Sequence, residues 1–472
     1  MLKNYFAQQI KEIFPYEPTF EQEKAITTLS EFFLTSFIRS VLILRGYAGT
    51  GKTTLISAFV QTLLLLKQKF VLLAPTGRAA KVFSFYSGHP AFTIHKKIYR
   101  EQSFTGGEGH FVVNDNLYKH TLFIVDEASM IANAGQANAV FGTGYLLDDL
   151  IDYVYSGEGC RLILLGDLAQ LPPVGEDLSP ALSAIGLQGY GLEVQEMELT
   201  EVVRQGQESG ILWNATLLRE KIATKDYAIL PKFRLTGFAD VKVISGTELI
   251  DVLSECYDND GEEETVVICR SNKRANVYNN GIRGRILWRE EELEAGDMLM
   301  ITKNNYFWTE NEKSMDFIAN GEMAKVIKVR GEQEIYGFRF VNTVLSFPDY
   351  DDLEMEVTVL LDTLHSDAPS LSKEDSEKLF VRVMEDYAYI SSKKERLKKL
   401  KIDPYYNALQ VKYAYAVTCH KAQGGQWKNV FLDQGYVGNE YLTPEYFRWL
   451  YTAVTRATER LYLINYPLSY TV

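Results

Sequence analysis

The stretch from Val41 to Ala58, VLILRGYAGTGKTTLISA, decides the fold. Its apolar start predicts a buried strand, a glycine-rich turn follows from Gly46 to Gly51, and Lys52 opens a helix. A strand, the pattern GxxxxGKT and a helix in this order form a P-loop. The glycines let backbone N–H groups converge on one point, and the helix N-terminus adds a field that favours an anion. We therefore predict that Lys52 reaches the terminal phosphates of a nucleotide and that the Thr53 hydroxyl holds magnesium.

Two further apolar strands end in polar residues. Leu122 to Val125 runs into the carboxylates of Asp126 and Glu127, and a strand over 161–165 runs into GDLAQLPP, which contains Gln170. Asp126 suits the shell of a magnesium ion, and Glu127 suits the orientation and deprotonation of a water molecule. The alternative for this pair is a solvated strand end, which we discount beside a P-loop. Gln170 is placed to sense a terminal phosphate or its attacking water, because the ends of parallel strands converge at one sheet edge.

Composition bounds the class of protein. The chain has 472 residues, 46% of them hydrophobic, which predicts two to four soluble globular domains. The net charge of −13 argues against nonspecific coating of nucleic acid, although a local basic or aromatic groove stays compatible with it. The four cysteines form no CxxC pair, so neither a zinc knuckle nor a disulfide framework is indicated. With no signal peptide or bilayer-spanning stretch recognisable, we expect a cytoplasmic protein without a membrane partner.

Several residues of the first half keep two interpretations. Gln22 stands three residues after Thr19, which fits a capping box, but its amide also suits an adenine edge. Pro75 and Thr76 follow a buried strand, where a ligand site or an ordinary loop is equally consistent with the pattern. His95, in a predicted helix, would more often be structural. Residues 103–113 predict a hairpin whose aromatic side chains either stack on a base or form a local cluster.

The second half predicts more buried strands, at 266–269, 414–418, 430–432 and 460–464, with a helix over 446–456. A β-rich insertion starts near Gly296, and the segment from Ser391 to Lys401 is basic with the pattern of a surface helix. The region from Phe347 to Lys401 contains no recognisable motif. Arg204, ahead of this half, is either a surface arginine or a phosphate contact.

The motifs in order resemble those of superfamily 1B DNA helicases of the RecD/Dda-like branch. The matching pieces are GYAGTGKTT, APTGRAAK, TIHKKIY, VDEAS, GDLAQLPPV, LTEVVRQ, VTCHKAQGGQ and YTAVTRATERLYL, which span nearly the whole chain. The resemblance implies an α/β fold with two RecA-like P-loop domains, a β-hairpin pin insertion and an SH3-like β insertion. The first RecA-like domain would comprise 1–84 and 118–206, the pin 85–117, the second RecA-like domain 207–295 and 405–472, and the insertion 296–404.

The resemblance also implies roles for individual residues. ATP and Mg²⁺ would bind between the two domains, with Glu127 as the catalytic base, Gln170 as the coupling residue, and Arg204 and Arg456 as arginine fingers. The nucleotide would contact Gln22, Gly46, Ala48, Gly49, Thr50, Gly51, Lys52, Thr53, Thr54 and Arg456, with Thr53 and Asp126 at the metal. Single-stranded DNA would contact Pro75, Thr76, His95, Phe111, Thr418, His420 and Lys421, with Phe111 as the tip of the pin.

Three functions remain open at this point. The first is an ATP-dependent helicase that moves 5′ to 3′ on single-stranded DNA and acts as a monomer at single/double-strand junctions. Its process would be DNA repair or recombination, and its partners would be other repair or replication proteins. The second is a motor subunit of a RecD-type complex that acts only with partner proteins. The third, a small-molecule P-loop kinase, leaves the stretches 414–425 and 451–460 without a role.

Overall fold

The computed structural model describes residues 2–35, 39–105, 108–135, 141–203, 208–310, 312, 315, 317–436 and 442–472, without the side chains of residues 2, 101–110 and 468. The strands within these ranges are β1 Ser40–Gly46, β2 Phe70–Ala74, β3 Ala91–Thr93, β4 Tyr99–Thr105, β5 Glu108–Val113, β6 Leu122–Val125, β7 Arg161–Gly166, β8 Glu193–Leu199, β9 Val241–Ile244, β10 Thr265–Cys269, β11 Met298–Ile301, β12 Met323–Ile335, β13 Phe338–Phe347, β14 Leu353–Leu360, β15 Leu409–Tyr413, β16 Ala416–Thr418, β17 Trp427–Asp433 and β18 Ala457–Ile464. The helices are α1 Leu2–Ile13, α2 Phe20–Leu34, α3 Lys52–Leu65, α4 Gly77–Ser87, α5 Ile94–Ile98, α6 Leu146–Ser156, α7 Ala184–Gln188, α8 Gly210–Thr224, α9 Leu249–Asp260, α10 Asn272–Arg285, α11 Lys373–Asp386, α12 Lys393–Lys401, α13 Cys419–Ala422 and α14 Pro444–Val454.

The first lobe is built on a six-stranded parallel sheet in the order β3-β2-β6-β7-β1-β8. Its central strands are buried on both faces, which is why they appear in the sequence as continuous apolar runs. One face packs against α1, α2 and α3, and the other against α5 and α6. Because β6, β7 and β1 are neighbours, the residues after these three strands meet at one edge of the sheet, as predicted.

The second lobe is a five-stranded parallel sheet in the order β16-β10-β17-β18-β9. The predicted strands at 266–269, 430–432 and 460–464 are all present in it, and the predicted helix over 446–456 is α14. Helix α14 lies against α8 and is almost wholly buried. The molecule is therefore mixed α/β, with two parallel sheets.

A closed five-stranded barrel, β11-β12-β13-β14-β15, is inserted into the second lobe. Its strands are antiparallel neighbours except for β14 and β15, which are parallel and are separated in sequence by the hairpin of helices α11 and α12. The segment from Phe347 to Lys401, which showed no motif, thus supplies one barrel strand and this helical hairpin. The hairpin has a small core of its own, formed by Leu379, Val383 and Leu400 against barrel residues Phe338 and Phe340.

The boundary predicted between residues 84 and 85 falls inside helix α4, which continues to Ser87. Strand β3, which follows this helix, completes the first sheet.

In the part of the chain that the structure describes, no helix is both long enough and apolar enough to cross a bilayer.

Candidate nucleotide site and nucleic-acid groove

The loop between β1 and α3 has the backbone of a phosphate-binding loop. Gly49 and Gly51 have φ values of +77° and +78°, in the left-handed region that favours glycine. A Cβ atom on Gly49 would also lie 2.9 Å from Leu212 of the second lobe, and one on Gly51 would lie 2.4 Å from the amide of Gln22. Both glycines are therefore favoured by their backbone conformation, and a side chain at either position would also displace a neighbouring side chain.

Gln22 lies directly beneath this loop and is buried. Its Oε1 accepts a hydrogen bond from the Thr19 backbone at 3.0 Å, and its Nε2 donates one to the Thr50 carbonyl at 3.0 Å. The capping box is confirmed. Because one amide hydrogen of Gln22 is left after these two bonds, contact with an adenine edge stays a prediction.

The acidic strand ends lie close to Lys52. The electrostatic fields of Lys52 and Glu127 both act on Asp126, and burial raises the pKa of Asp126 to about 6. Glu127 adopts φ +51°, a left-handed conformation that costs a non-glycine residue on the order of 1 kcal/mol. Burial also raises the pKa of Asp167, which follows β7 and is stabilised in its charged form by Lys52. These four residues form one charged cluster beside the P-loop.

Carboxylates of this kind fit a magnesium ion. Asp126 and Asp167 are oxygen donors whose charged forms Lys52 already favours, and a divalent cation would favour them further. The Oε1 atom of Gln170 is buried without a hydrogen-bond partner among the described residues, which is unusual for an amide oxygen in a folded protein. Asp126 and Asp167 are therefore suitable to hold the ion, and the Gln170 Oε1 atom is available to accept a hydrogen bond from a ligand. The role of Thr53 as a metal ligand stays a prediction.

Helix α14 of the second lobe contacts both the P-loop and the 167–171 loop. The Tyr451 hydroxyl accepts a hydrogen bond from the Ala48 backbone N–H at 2.9 Å and donates one to Asp167 Oδ2 at 2.7 Å. Thr452 Oγ1 accepts from the Leu171 backbone at 2.8 Å, and Arg448 donates to the carbonyl of Leu168. The charged cluster therefore lies at the junction of the two lobes.

Sequence reasoning missed Asp167, Tyr451 and Thr452. The signals were available, because Asp167 follows a buried strand within GDLAQ and the other two precede Arg456 within YTAVTR. It also missed Arg219 of α8, whose guanidinium lies 4.6 Å from the centre of the Tyr47 ring in the P-loop. No pattern around Arg219 marks it, since only the packing of α8 against the first lobe brings it there.

Arg456 lies at the end of the same helix and is 4% exposed. Its guanidinium donates to the carbonyls of Thr452 and Gly425 and to Thr455 Oγ1, at 3.1 to 3.4 Å. All three acceptors belong to the second lobe, and these bonds use three of the five N–H groups of the guanidinium. Arg204 lies outside the described residues. The finger roles of both arginines stay predictions.

A groove of about 910 Å³ runs between the first lobe and the barrel. Four residues predicted to contact DNA line it: Pro75, Thr76, His95 and Phe111. Thr76 also caps α4, since its hydroxyl accepts from the Ala79 backbone at 3.2 Å. Burial lowers the pKa of His95 to about 4, so its imidazole is neutral at pH 7 and offers stacking or hydrogen bonding without charge.

Thr418 ends strand β16 on the second lobe, and His420 and Lys421 follow it. Lys421 Nζ donates to Asn320 Oδ1, and Asn320 lines the groove, so this lysine lies beside it. Burial lowers the pKa of Lys421 to about 8, which leaves it charged at pH 7. Thr418 precedes α13 as its N-cap, and His420 is exposed. The structure thus brings Lys421 to the groove, while the DNA contacts of all three residues stay predictions.

The predicted hairpin is present as β4 and β5, but Phe111 is not at its tip. Phe111 lies within β5, paired with Glu101, whereas the outermost pair of the hairpin is Thr105 with Glu108. Its ring stacks on Phe141 with a centroid distance of 4.8 Å and lies 4.6 Å from Tyr306 of the barrel insertion. Strand register puts Phe111 at the base of the hairpin, inside an aromatic cluster that lines the groove, so its assignment as the tip is wrong.

Comparisons with known proteins agree with this arrangement. Residues 21–229 match the family profile of the AAA domain, and residues 413–464 match that of the UvrD-like helicase C-terminal domain. The chain is 26% identical to the ATP-dependent RecD2 DNA helicase of Deinococcus radiodurans over 89% of its own length, but it spans only 46% of that relative. It is 22% identical to the RecBCD enzyme subunit RecD of Buchnera aphidicola, covering 92% of this chain and 71% of that one.

Among solved structures, a Pif1 helicase from Bacteroides in complex with ADP-AlF3 and single-stranded DNA aligns over 97% of this chain and 95% of its own, with 15% identity and a TM-score of 0.48. The two profile matches fall on the P-loop lobe and on the lobe that carries α14, in the order expected from the motifs. The chain is therefore similar to helicases of the RecD type, with a match to an AAA domain followed by a match to a UvrD-like helicase C-terminal domain.

Proposed function

We propose that this protein is an ATP-dependent DNA helicase that translocates 5′ to 3′ on single-stranded DNA and unwinds duplex ahead of it. One observation carries the proposal: Tyr451 of the second lobe bonds both the P-loop backbone and Asp167. A nucleotide bound at the P-loop would therefore change the contact between the lobes. A change in that contact would move the walls of the groove, because residues of both lobes lie along it or beside it.

Each residue of the nucleotide site has a separate role in ATP hydrolysis. Lys52 and the backbone N–H groups of Gly49 to Thr54 bind the phosphates, and Glu127 orients and deprotonates the attacking water. Bound magnesium, held by Thr53 and Asp126, supplies charge neutralisation at the phosphates. Gln170, whose Oε1 is unpartnered, accepts a hydrogen bond from the attacking water beside the terminal phosphate. Arg456 completes the site from the second lobe, so hydrolysis depends on lobe closure.

The groove is the nucleic-acid track. Its lining combines aromatic rings, which stack on bases, with threonine and lysine side chains, which contact phosphates. Stacking and phosphate contacts carry little sequence information, so the motor is nearly sequence-blind. The β4–β5 hairpin acts as the pin, and the five-stranded barrel is the SH3-like insertion that supports it through the contact of Tyr306 with Phe111.

The test is an unwinding assay with the purified chain and duplexes that carry a 5′ or a 3′ single-stranded overhang. We expect ATP-dependent unwinding of the 5′-tailed duplex and none of the 3′-tailed one. Lys52→Ala abolishes hydrolysis and unwinding, while Lys24→Ala, which removes an exposed lysine of α2, is the matched control. Unwinding from the 3′ tail refutes the direction, and full activity of Lys52→Ala refutes the nucleotide site. ATP hydrolysis without unwinding favours a motor subunit that needs partners.

A further inference from the structure

Helix α12, the sequence KKERLKKLK from Lys393 to Lys401, is the most basic element of this acidic protein. Six of its nine residues are lysine or arginine and one is glutamate, whereas the whole chain has a net charge of −13. The neighbouring helix α11 carries acids and bases mixed, so the positive field belongs to α12. Four of the lysines are exposed: Lys393, Lys394, Lys398 and Lys399.

The basic helix is held rigidly. Its one fully buried residue, Leu400, packs into the hairpin core against α11 and the barrel. Arg396 donates hydrogen bonds to the carbonyls of Ile390 and Ala388, and the Tyr387 hydroxyl donates to Asp403 at 2.7 Å just beyond the helix. These contacts fix one apolar side of α12 to the barrel and leave its lysines turned to solvent in a constant orientation. A loosely attached charged tail would have none of these contacts.

The C-terminal end of the basic helix opens onto the groove. Lys401, Ile402 and Tyr406 line the same cavity as Thr76 and Phe111 of the first lobe. From that end the helix extends the positive surface by about 12 Å, at a rise of 1.5 Å per residue. A polymer that leaves the groove on this side therefore passes along the lysines.

We propose that the basic helix is a second nucleic-acid contact, which binds the phosphodiester backbone where it leaves the groove. The inference rests on the proposed helicase function, because it needs nucleic acid in the groove. Lysine ammonium groups on an ordered helix bind phosphates without regard to sequence and release counterions as they do so. The helical hairpin between β14 and β15 thus lengthens the track beyond the two lobes.

The test compares two variants that each lose four positive charges. One carries Lys→Gln at positions 393, 394, 398 and 399; the control carries Lys→Gln at positions 24, 69, 232 and 242, which are also exposed but do not line the groove. Binding is measured by fluorescence anisotropy from 50 to 200 mM salt, with labelled single strands of 8 and 30 nucleotides and a forked duplex. Circular dichroism and thermal unfolding check that both variants fold.

For the 30-nucleotide strand, each lost phosphate contact lowers the salt slope of the affinity by about 0.7, so four contacts lower it by up to about 2.8. Wild type and the control then lose up to about 50-fold more affinity across this salt range than the α12 variant does. The 8-nucleotide strand, which occupies only the groove, binds both variants equally. A loss confined to the fork assigns the contact to duplex, and a loss with the long strand assigns it to single strand.

Equal salt slopes for the α12 variant and the control, on every substrate, overturn this inference and leave the helicase proposal intact. Absence of nucleic-acid binding by the wild-type chain overturns the helicase proposal and this inference with it.

Discussion

The bridge that Tyr451 makes between the lobes gives the sharpest prediction. Burial raises the pKa of Tyr451 well above its usual value, so its hydroxyl stays protonated and donates to Asp167 while it accepts from Ala48. Tyr451→Phe keeps the ring and removes both bonds. A hydrogen bond to a charged group contributes about 1.5–3 kcal/mol and a neutral one about 0.5–1.5 kcal/mol, so the contact loses about 2–4.5 kcal/mol. That is about 30-fold to 2000-fold in the equilibrium that closes the lobes.

The assay is DNA-stimulated ATP turnover, with urea unfolding measured in parallel. We expect turnover by Tyr451→Phe to fall at least about 30-fold, because hydrolysis needs the closed arrangement. Tyr446→Phe is the matched control: it removes a buried hydroxyl of the same helix that bonds Gln434 inside the second lobe at 2.6 Å. The control is expected to lose about 1 kcal/mol of stability and keep its turnover. Wild-type turnover by Tyr451→Phe, with stability reduced by the full amount, would show a purely structural bond and refute the reasoning.

Three further predictions concern the arginine finger, the aromatic cluster and the barrel. Arg456→Ala is expected to bind a fluorescent ATP analogue normally but to hydrolyse ATP about 10³-fold more slowly or worse; an unchanged kcat contradicts the finger role. Phe111→Ala removes two ring contacts worth about 0.5–1.5 kcal/mol each. Unwinding is therefore expected to fall about tenfold, while the single-strand-stimulated ATPase activity is kept. An equal loss of both activities argues against a role of the hairpin in strand separation. Burial raises the pKa of Glu322 from 4.5 to about 8, so between these two pH values the folded state holds one more proton than the unfolded state. The free energy of unfolding therefore falls by about 1.4 kcal/mol per pH unit as the pH rises from 4.5 to 8. Glu322→Gln keeps the shape of the neutral acid and is expected to flatten that slope in urea unfolding; a wild-type slope in the variant excludes Glu322 as its source.

Local pattern predicted the elements that local physics controls. The P-loop, the acidic end of β6, the polar end of β7 and the central strands of both sheets were visible because buried parallel strands are continuous apolar runs with polar residues at their ends. Their convergence at one edge also followed, since it depends only on parallel strand direction. The capping box formed by Thr19 and Gln22 was also predicted, because it depends only on a spacing of three residues along the chain.

Register and domain packing were beyond such patterns. Phe111 was assigned to the tip of a hairpin, but pairing fixed it to the base, because a turn can be located from glycines while the position of one side chain depends on the strand it faces. The closure of the barrel depends on β15, which joins β14 only after the intervening α11–α12 hairpin.

The sequence by itself predicted a P-loop for a nucleotide phosphate, and it carries an ordered set of motifs that resembles that of a helicase. Tertiary structure decided which residues meet: Tyr451 and Ala48 are 403 positions apart, and the basic helix reaches the groove only because its hairpin packs on the barrel. The reason is physical. A motif needs only backbone conformation and side-chain type over a few residues, whereas a contact between lobes depends on how whole buried surfaces fit together.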